Sequence, residues 1–487
     1  MSDNNNNINN TAIMRYFREI SSIPRPSAKE GLIADYLTEF AQKRGLQYYR
    51  DEIHNVVIKK PGSPGAEFSP PVMLQGHTDM VCEKNSETSH DFDKTGISLI
   101  QDGNFLMADG TTLGADNGVA VAYMLAILDN DELVHPPLEC VFTVQEEIGL
   151  KGAATLDPSV LSAWTLINLD GGPFGTAVVS CAGGMRCYMT KQVTPSVVPR
   201  AFPLHIAVRG LEGGHSGTDI HRGRGNSIKL LGRVLLRLLL EFPTMEISYI
   251  QGGAKDNAIP RESEAVAIFV SENNRLKAEK MLAELEEQIS YELRQLDPSF
   301  SLEVSHADDR DLTSIGRAAT YSLVNMLALS PDGVLNRSNE AGEFVISSVN
   351  FGVISTEMNK ITATFSLRSS ENSLQERTKD LLEAVAYTSG FATDFGDAYP
   401  GWAYNSESPI RTYFADAYRD MFNSELNIVA IHAGLECGLF SDKLPGLDAI
   451  SLGPTIHDFH SPGEKLELDT FEKMYALLLE VLKRLAS

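Results

Sequence analysis

Histidine and carboxylate recur along this chain at the ends of apolar runs, and that pairing is the raw material of a metal centre. The stretch 72–81 carries Val72-Met73-Leu74, then Gln75-Gly76, then His77 and Asp79. A short apolar run bounded by turn residues reads as a buried strand. Residues two apart on a strand point the same way, so His77 and Asp79 leave its carboxyl tip together. A carboxylate on the far ring nitrogen of a histidine is the usual support for a metal-binding imidazole. One His-x-Asp is common by chance, but the rest of the chain repeats the design. Asp116 sits in Gly114-Ala115-Asp116-Asn117-Gly118 ahead of an apolar helix. Glu146-Glu147 follows the run 138–144, Asp170 follows 164–169, and His460 lies in a turn near the end of the chain.

In open α/β sheets, ligands bind outside the carboxyl ends of the strands, so these groups are expected to meet. Five carboxylates gathered without a counter-charge would be prohibitive, since an unpaired buried carboxylate must protonate or bind a cation. Two divalent cations would settle that charge, and a histidine and carboxylate donor set suits zinc, with cobalt or manganese as substitutes. Most Glu-Glu pairs are solvated acidic turns. Behind a buried strand, however, neighbouring side chains point in opposite directions. One glutamate can then bind metal while the other reaches a metal-bound water.

The elements that must carry these groups alternate. Helices are expected over 11–23, from a Ser27-x-x-Glu30 capping box to Lys43, and over 119–128, with a strand hairpin across 47–60. The segment 83–104 reads as a polar loop, and strands over 138–144 and 164–169 complete a mainly parallel pattern. From about Met185 the texture changes to helix–strand–strand–helix–strand, used twice in succession. After Gly401 the α/β texture returns, with a helix over 409–422, strands over 426–431 and 449–452, and a closing helix over 469–485. The economical account is a catalytic α/β domain in two segments, 1–184 and 399–487, with helices on both faces of a mixed, mainly parallel sheet. An inserted α+β lid domain, 185–398, interrupts it as a doubled unit.

Composition narrows the function classes. The 487 residues exceed one ordinary core. A formal charge of −24 argues against nucleic acid and anionic membrane surfaces. The five cysteines are odd in number and lack Cys-x-x-Cys spacing, which fits a reducing cytoplasm rather than a disulfide framework or thiolate zinc site. The opening MSDNNNNINN has neither a basic nor an apolar region, so a disordered tail rather than a signal peptide is expected. No run approaches the roughly 20 apolar residues of a membrane span.

Read together, Gly76-His77-Thr78-Asp79, Gly114-Ala115-Asp116-Asn117-Gly118, Glu146-Glu147-Ile148-Gly149 and Leu169-Asp170 resemble the dinuclear zinc superfamily of acetylornithine deacetylases, carboxypeptidases and dipeptidases. The motifs Gly213-Gly214-His215-Ser216-Gly217, Asn257-Ala258-Ile259-Pro260, His432-Ala433-Gly434-Leu435-Glu436-Cys437-Gly438 and His460-Ser461-Pro462 narrow the resemblance to the aminoacyl-histidine dipeptidase family. It runs from about Ile20 to the end of the chain and implies a zinc-exopeptidase-like fold acting on dipeptides of the Xaa-His type. Asp116 would bridge two metals, with a cis peptide to Asn117; His77 and Asp170 would hold one ion, Glu147 and His460 the other. His457 is a decoy three residues before His460, which the His-Ser-Pro pattern selects. Asp79 would orient His77, and Glu146 would be general base and then general acid. In the lid, His215 would donate to the oxyanion, while Asn257 and Arg368 grip the substrate; Glu436 would take the free amine. Dimerisation is possible but not required, because a doubled lid can supply from one chain what a partner supplies elsewhere.

The family usually follows Leu-Asp with Ser-Glu and further acids, whereas this chain has Gly171-Gly172-Pro173, which changes the charge of the outer pocket. A tripeptidase or N-acyl-amino-acid deacylase is the nearest rival reading, and a non-catalytic binding protein on the same fold is a more distant one. The glycines at 210–217 match neither a P-loop nor a dinucleotide fingerprint.

Overall fold

The computed structural model describes residues 11–198, 201–308, 312–339 and 344–487; the polar tail expected to be disordered lies outside them. The chain divides into two compact units. One runs up to Ser180 and resumes over Tyr404–Ala430 and Leu435–Ser487. The other comprises Cys181–Ala403 and Ile431–Gly434.

The first unit is built on an eight-stranded sheet whose four central strands, Leu138–Thr143, Val72–His77, Thr165–Asn168 and Asp448–Ser451, are parallel neighbours. Both faces of these strands are covered. Val72 and Leu74 join the main core, and the alternate residues Met73, Val141 and Leu166 are equally inaccessible. That is why they read as unbroken apolar runs rather than alternating ones. Gln47–Arg50, Val56–Lys60 and Thr176–Cys181 extend the sheet through antiparallel pairing. The helix Ala115–Leu128 buries every residue but Asp116, as a helix apolar all round must.

Register then explains convergence. Gln75 pairs with both Val141 and Asn168, and His77 lies level with Thr143. The tips bearing His77, Glu146-Glu147 and Asp170 therefore end side by side. A separate four-stranded sheet holds the turn with His460 between Ile456–His457 and Lys465–Glu467.

The second unit is a nine-stranded sheet in which every described pairing is antiparallel. Its order is palindromic. From one edge run Ser301–His306, Phe202–Arg209, Ser263–Phe269 and Glu246–Gly252. From the other run Ala392–Tyr399, Gly183–Gln192, Lys360–Ser369 and Val345–Glu357. Each half adds two helices in the same chain order, Ser227–Glu241 and Glu272–Leu293 in one, Arg317–Leu329 and Asn372–Ser389 in the other. The doubling expected from the element pattern thus includes a leading strand for each half: Phe202–Arg209, which reads as a strand in the sequence, and Gly183–Gln192, which does not.

Two local expectations fail. The helix Gly31–Lys43 has no capping box: Glu30 is its N-cap residue without a side-chain cap bond. Ser27 donates instead to Asp79 Oδ2 at 2.8 Å, because a buried carboxylate is the stronger acceptor. The segment 83–104 is not wholly loop, since Leu99–Asp102 pairs with Phe105–Ala108 as an antiparallel hairpin. Turn-like composition concealed that short edge strand.

Candidate metal centre

Asp116 stands between two histidines. Its Oδ1 lies 3.1 Å from His77 Nε2, and its Oδ2 lies 3.1 Å from His460 Nε2. Asp170 Oδ1 is 3.9 Å from the same His77 nitrogen, and Glu147 Oε1 is 3.0 Å from that of His460. Two donor sets result, His77–Asp116–Asp170 and Asp116–Glu147–His460, each with atoms within 4.8 Å of one another. Glu146 joins His77 and Glu147 in a third such group. His77 is buried, whereas the His460 side chain is 44% exposed. His457 is directed to Glu467 Oε1 at 2.7 Å.

The loops are held by backbone and buried polar contacts. The chain is non-helical at Asp116 and Asn117, and the peptide between them is cis. Asn117 donates through Nδ2 to Leu169 O and accepts from His77 N–H through Oδ1, tying three ligand-bearing segments together. Gly76 must be glycine, since a Cβ there would lie 2.3 Å from Asn117 Oδ1 and from Ala120 Cβ. His77 Nδ1 is 3.0 Å from the main-chain oxygen of Asp79 and 3.4 Å from its carboxylate Oδ1. That carboxylate also accepts the N–H groups of Glu146 and Glu147 at 3.1 and 3.3 Å, so Asp79 fixes the Glu-Glu turn as well as the histidine.

Sequence reading missed the supports behind these loops. Arg25, fully buried, donates to Thr78 O at 2.9 Å and Gly114 O at 2.6 Å. Glu30 Oε1 accepts from Gln145 N at 3.0 Å. Only their odd setting, charges in the Pro-rich stretch 24–30, hinted at them. Gly171 is explained too: a Cβ there would lie 2.7 Å from Leu452 N, so the backbone of 451–452 excludes the family's larger residue. Gly114 sits at φ 69° with Arg25 Nη2 2.5 Å and Met80 Sδ 2.9 Å from any added Cβ. Gly114→Ala is expected to cost about 2–4 kcal/mol through left-handed strain and overpacking, read as a lower denaturation midpoint; an unchanged midpoint would show that the loop yields freely.

The electrostatics are those of a cation site. Burial pushes the Asp170 carboxyl well above its usual range, with Asp116 adding to it. Burial also raises Glu146 to about 8, reinforced by Glu436, Glu147 and Asp116 against the opposing pull of His77. Asp116 goes the other way: burial would raise it, but His460 and His77 hold it low. Glu147 Oε1 is buried and, although 3.0 Å from His460 Nε2, receives no well-aligned hydrogen bond. A cluster with more anionic oxygen than its histidines can answer, and an orphaned acceptor within it, fits two divalent ions.

In the second unit His215 Nδ1 accepts from Gly217 N at 3.2 Å and Thr218 N at 3.1 Å. The ring proton therefore belongs on Nε2, and burial, then Arg368, keeps the imidazole neutral. Arg368 reaches Tyr399 Oη at 3.4 Å, and its Nε is buried without an acceptor. Asn257 is exposed, its main-chain oxygen accepting from Ser216 N–H. Glu436, in the first unit, is fully buried; its Oε2 accepts from Gln75 and Thr143 and its Oε1 has no donor.

An α/β sheet with His–carboxylate donor sets at its strand tips, joined to a separate antiparallel unit, defines a hydrolase of the metallopeptidase class. Residues 73–484 match peptidase family M20/M25/M40, and the chain belongs to it. It is 36% identical over 471 residues, 96% of both chains, to a cytosol non-specific dipeptidase of Escherichia coli (strain K12). Its fold is similar to the crystal structure of an aminoacylhistidine dipeptidase from Vibrio alginolyticus, with TM-score 0.94, 36% identity and 98% of both chains covered. A Bacillus cereus aminopeptidase shares the fold alone, with TM-score 0.56 and 15% identity over 98% of both chains. No helix among the described residues is long and apolar enough to cross a membrane.

Proposed function

We propose that this chain is a two-zinc dipeptidase acting on substrates with a free N-terminus, Xaa-His dipeptides among them and others more broadly, in the cytoplasm. The observation that carries this reading is the Asp116 carboxylate with each oxygen facing a different histidine. His77 and Asp170 would hold one ion, Glu147 and His460 the other, and Asp116 both; cobalt or manganese suits the same donors. Bound there, the ions would lower the pKa of a shared water and polarise the scissile carbonyl.

The chain's own groups do the rest. Glu146 takes the water's proton on its carboxylate and returns it to the leaving amine nitrogen. His215, neutral and protonated at Nε2, donates to the developing oxyanion, a role of roughly 3–4 kcal/mol in comparable sites. Arg368, with Asn257, grips the substrate's terminal carboxylate through its guanidinium fork. Glu436 Oε1 accepts from the substrate's ammonium, which confers the requirement for a free amine. Glu436→Gln is then expected to raise KM for unblocked dipeptides about 10–100-fold, the loss of a charge-assisted bond of roughly 1.5–3 kcal/mol, with kcat much less affected. A KM within twofold of wild type would remove Glu436 from substrate binding.

The deciding experiment is a panel of free and N-acetylated dipeptides and tripeptides, including Xaa-His, assayed with zinc, cobalt and manganese. Free dipeptides should dominate. Equal or better turnover of the N-acetylated set would make this a deacylase, and a preference for three residues a tripeptidase.

A further inference from the structure

Glu464 is a buried carboxylate that the reaction above does not use. It lies four residues beyond His460, and its two oxygens are spent entirely on the backbone of the Asp116 loop. Oε2 accepts from Leu113 N at 2.8 Å and Gly114 N at 3.0 Å; Oε1 accepts from Ala115 N at 2.8 Å and Asp116 N at 3.3 Å. Four successive amides thus converge on one anion at the start of the helix Ala115–Leu128, the end where partial positive charge gathers. On the other side of the same loop the Arg25 guanidinium donates to Gly114 O. The run 113–116 is therefore clasped between a buried anion on its N–H groups and a buried cation on a carbonyl. One residue further on, Asn117 adds its own bonds to Leu169 O and His77 N–H.

We infer that Glu464 is a positioning residue of the metal centre, which with Arg25 presets the Asp116 loop so that both carboxylate oxygens meet their ions without reorganisation. The inference rests on the two-metal reading above. Glu464 touches neither substrate nor ion; it acts by sparing the loop the cost of ordering when metal binds. Because it follows His460 on the same turn, it also couples the placement of that histidine to the placement of Asp116. A glutamine at 464 keeps one carbonyl oxygen but turns an NH2 group towards two N–H donors, so donor faces donor and two amides lose their acceptor.

The test uses the full chain stripped of metal and titrated with CoCl2, followed by visible absorption and calorimetry. Wild type should take up two equivalents. Glu464→Gln should bind Co2+ about 10–100-fold more weakly, with a changed visible spectrum, while the metal-free variant keeps its far-UV circular dichroism and much of its activity returns at saturating Co2+. Two equivalents in wild type beside unchanged affinity and spectrum in Glu464→Gln would overturn this inference and leave the metal centre standing. A wild-type chain that takes up no cobalt would overturn both. Should Glu464→Gln fail to fold, Glu464→Asp decides the matter, since it keeps the charge but withdraws it by one methylene. Weakened Co2+ binding there supports the role, and unchanged binding overturns it.

Discussion

Glu146→Gln is expected to lower kcat by about 10²–10⁴-fold, the usual contribution of a positioned general acid–base, while the protein still binds two equivalents of zinc. The expectation comes from the division of labour in the Glu-Glu turn. Asp79 accepts both N–H groups, which fixes the two side chains relative to each other. Glu147 faces His460, whereas Glu146 falls in the group with His77 and is not part of either donor set containing Asp116. Burial first, then the neighbouring carboxylates, drives its pKa up; bound cations would pull it down towards the range where it can both take and return a proton. Turnover near that of wild type would remove Glu146 from the proton path. Loss of zinc together with activity would reassign it as a ligand.

The second large effect concerns Asp116. Asp116→Asn is expected to abolish binding of both ions and to lower kcat/KM by about 10⁴-fold or more, the scale of losing a nucleophile-generating metal and its orientation together. Each oxygen of this carboxylate faces a histidine. An amide has one oxygen and one NH2 and cannot serve as an anion on both sides. Metal content after dialysis and the zinc-dependent rise in denaturation temperature check this independently of catalysis. Wild type at zinc concentrations about 1,000 times Kd should gain roughly 4 kcal/mol for each ion bound, and the variant nothing. Two tightly held zinc ions in Asp116→Asn would show that Asp116 is not the bridge.

The sequence by itself determined the chemistry-bearing residue types and the elements that carry them. His77, Glu146-Glu147 and Asp170 each follow a strand buried on both faces, and such strands announce themselves as apolar runs. The paired helix–strand–strand–helix–strand order of the second unit was legible as well, although its strands Gly183–Gln192 and Gly333–Arg337 were not. The choice of His460 over His457 needed the His-Ser-Pro pattern, because spacing alone does not tell a group facing Asp116 from one facing Glu467.

The tertiary structure decided everything that depends on a partner distant in the chain. Ser27 looked like a helix cap but is taken by Asp79. Arg25, Glu30 and Glu464 carry no local signature, yet each is buried against the loops that present the ligands. Gly171 is demanded by a backbone some 280 positions later in the sequence, at Leu452. The physical reason is common to all of them. Apolar burial is written in local periodicity, because each element must turn one face inward. A buried polar group is satisfied by whichever donor or acceptor folding brings to it, and that choice is made in three dimensions.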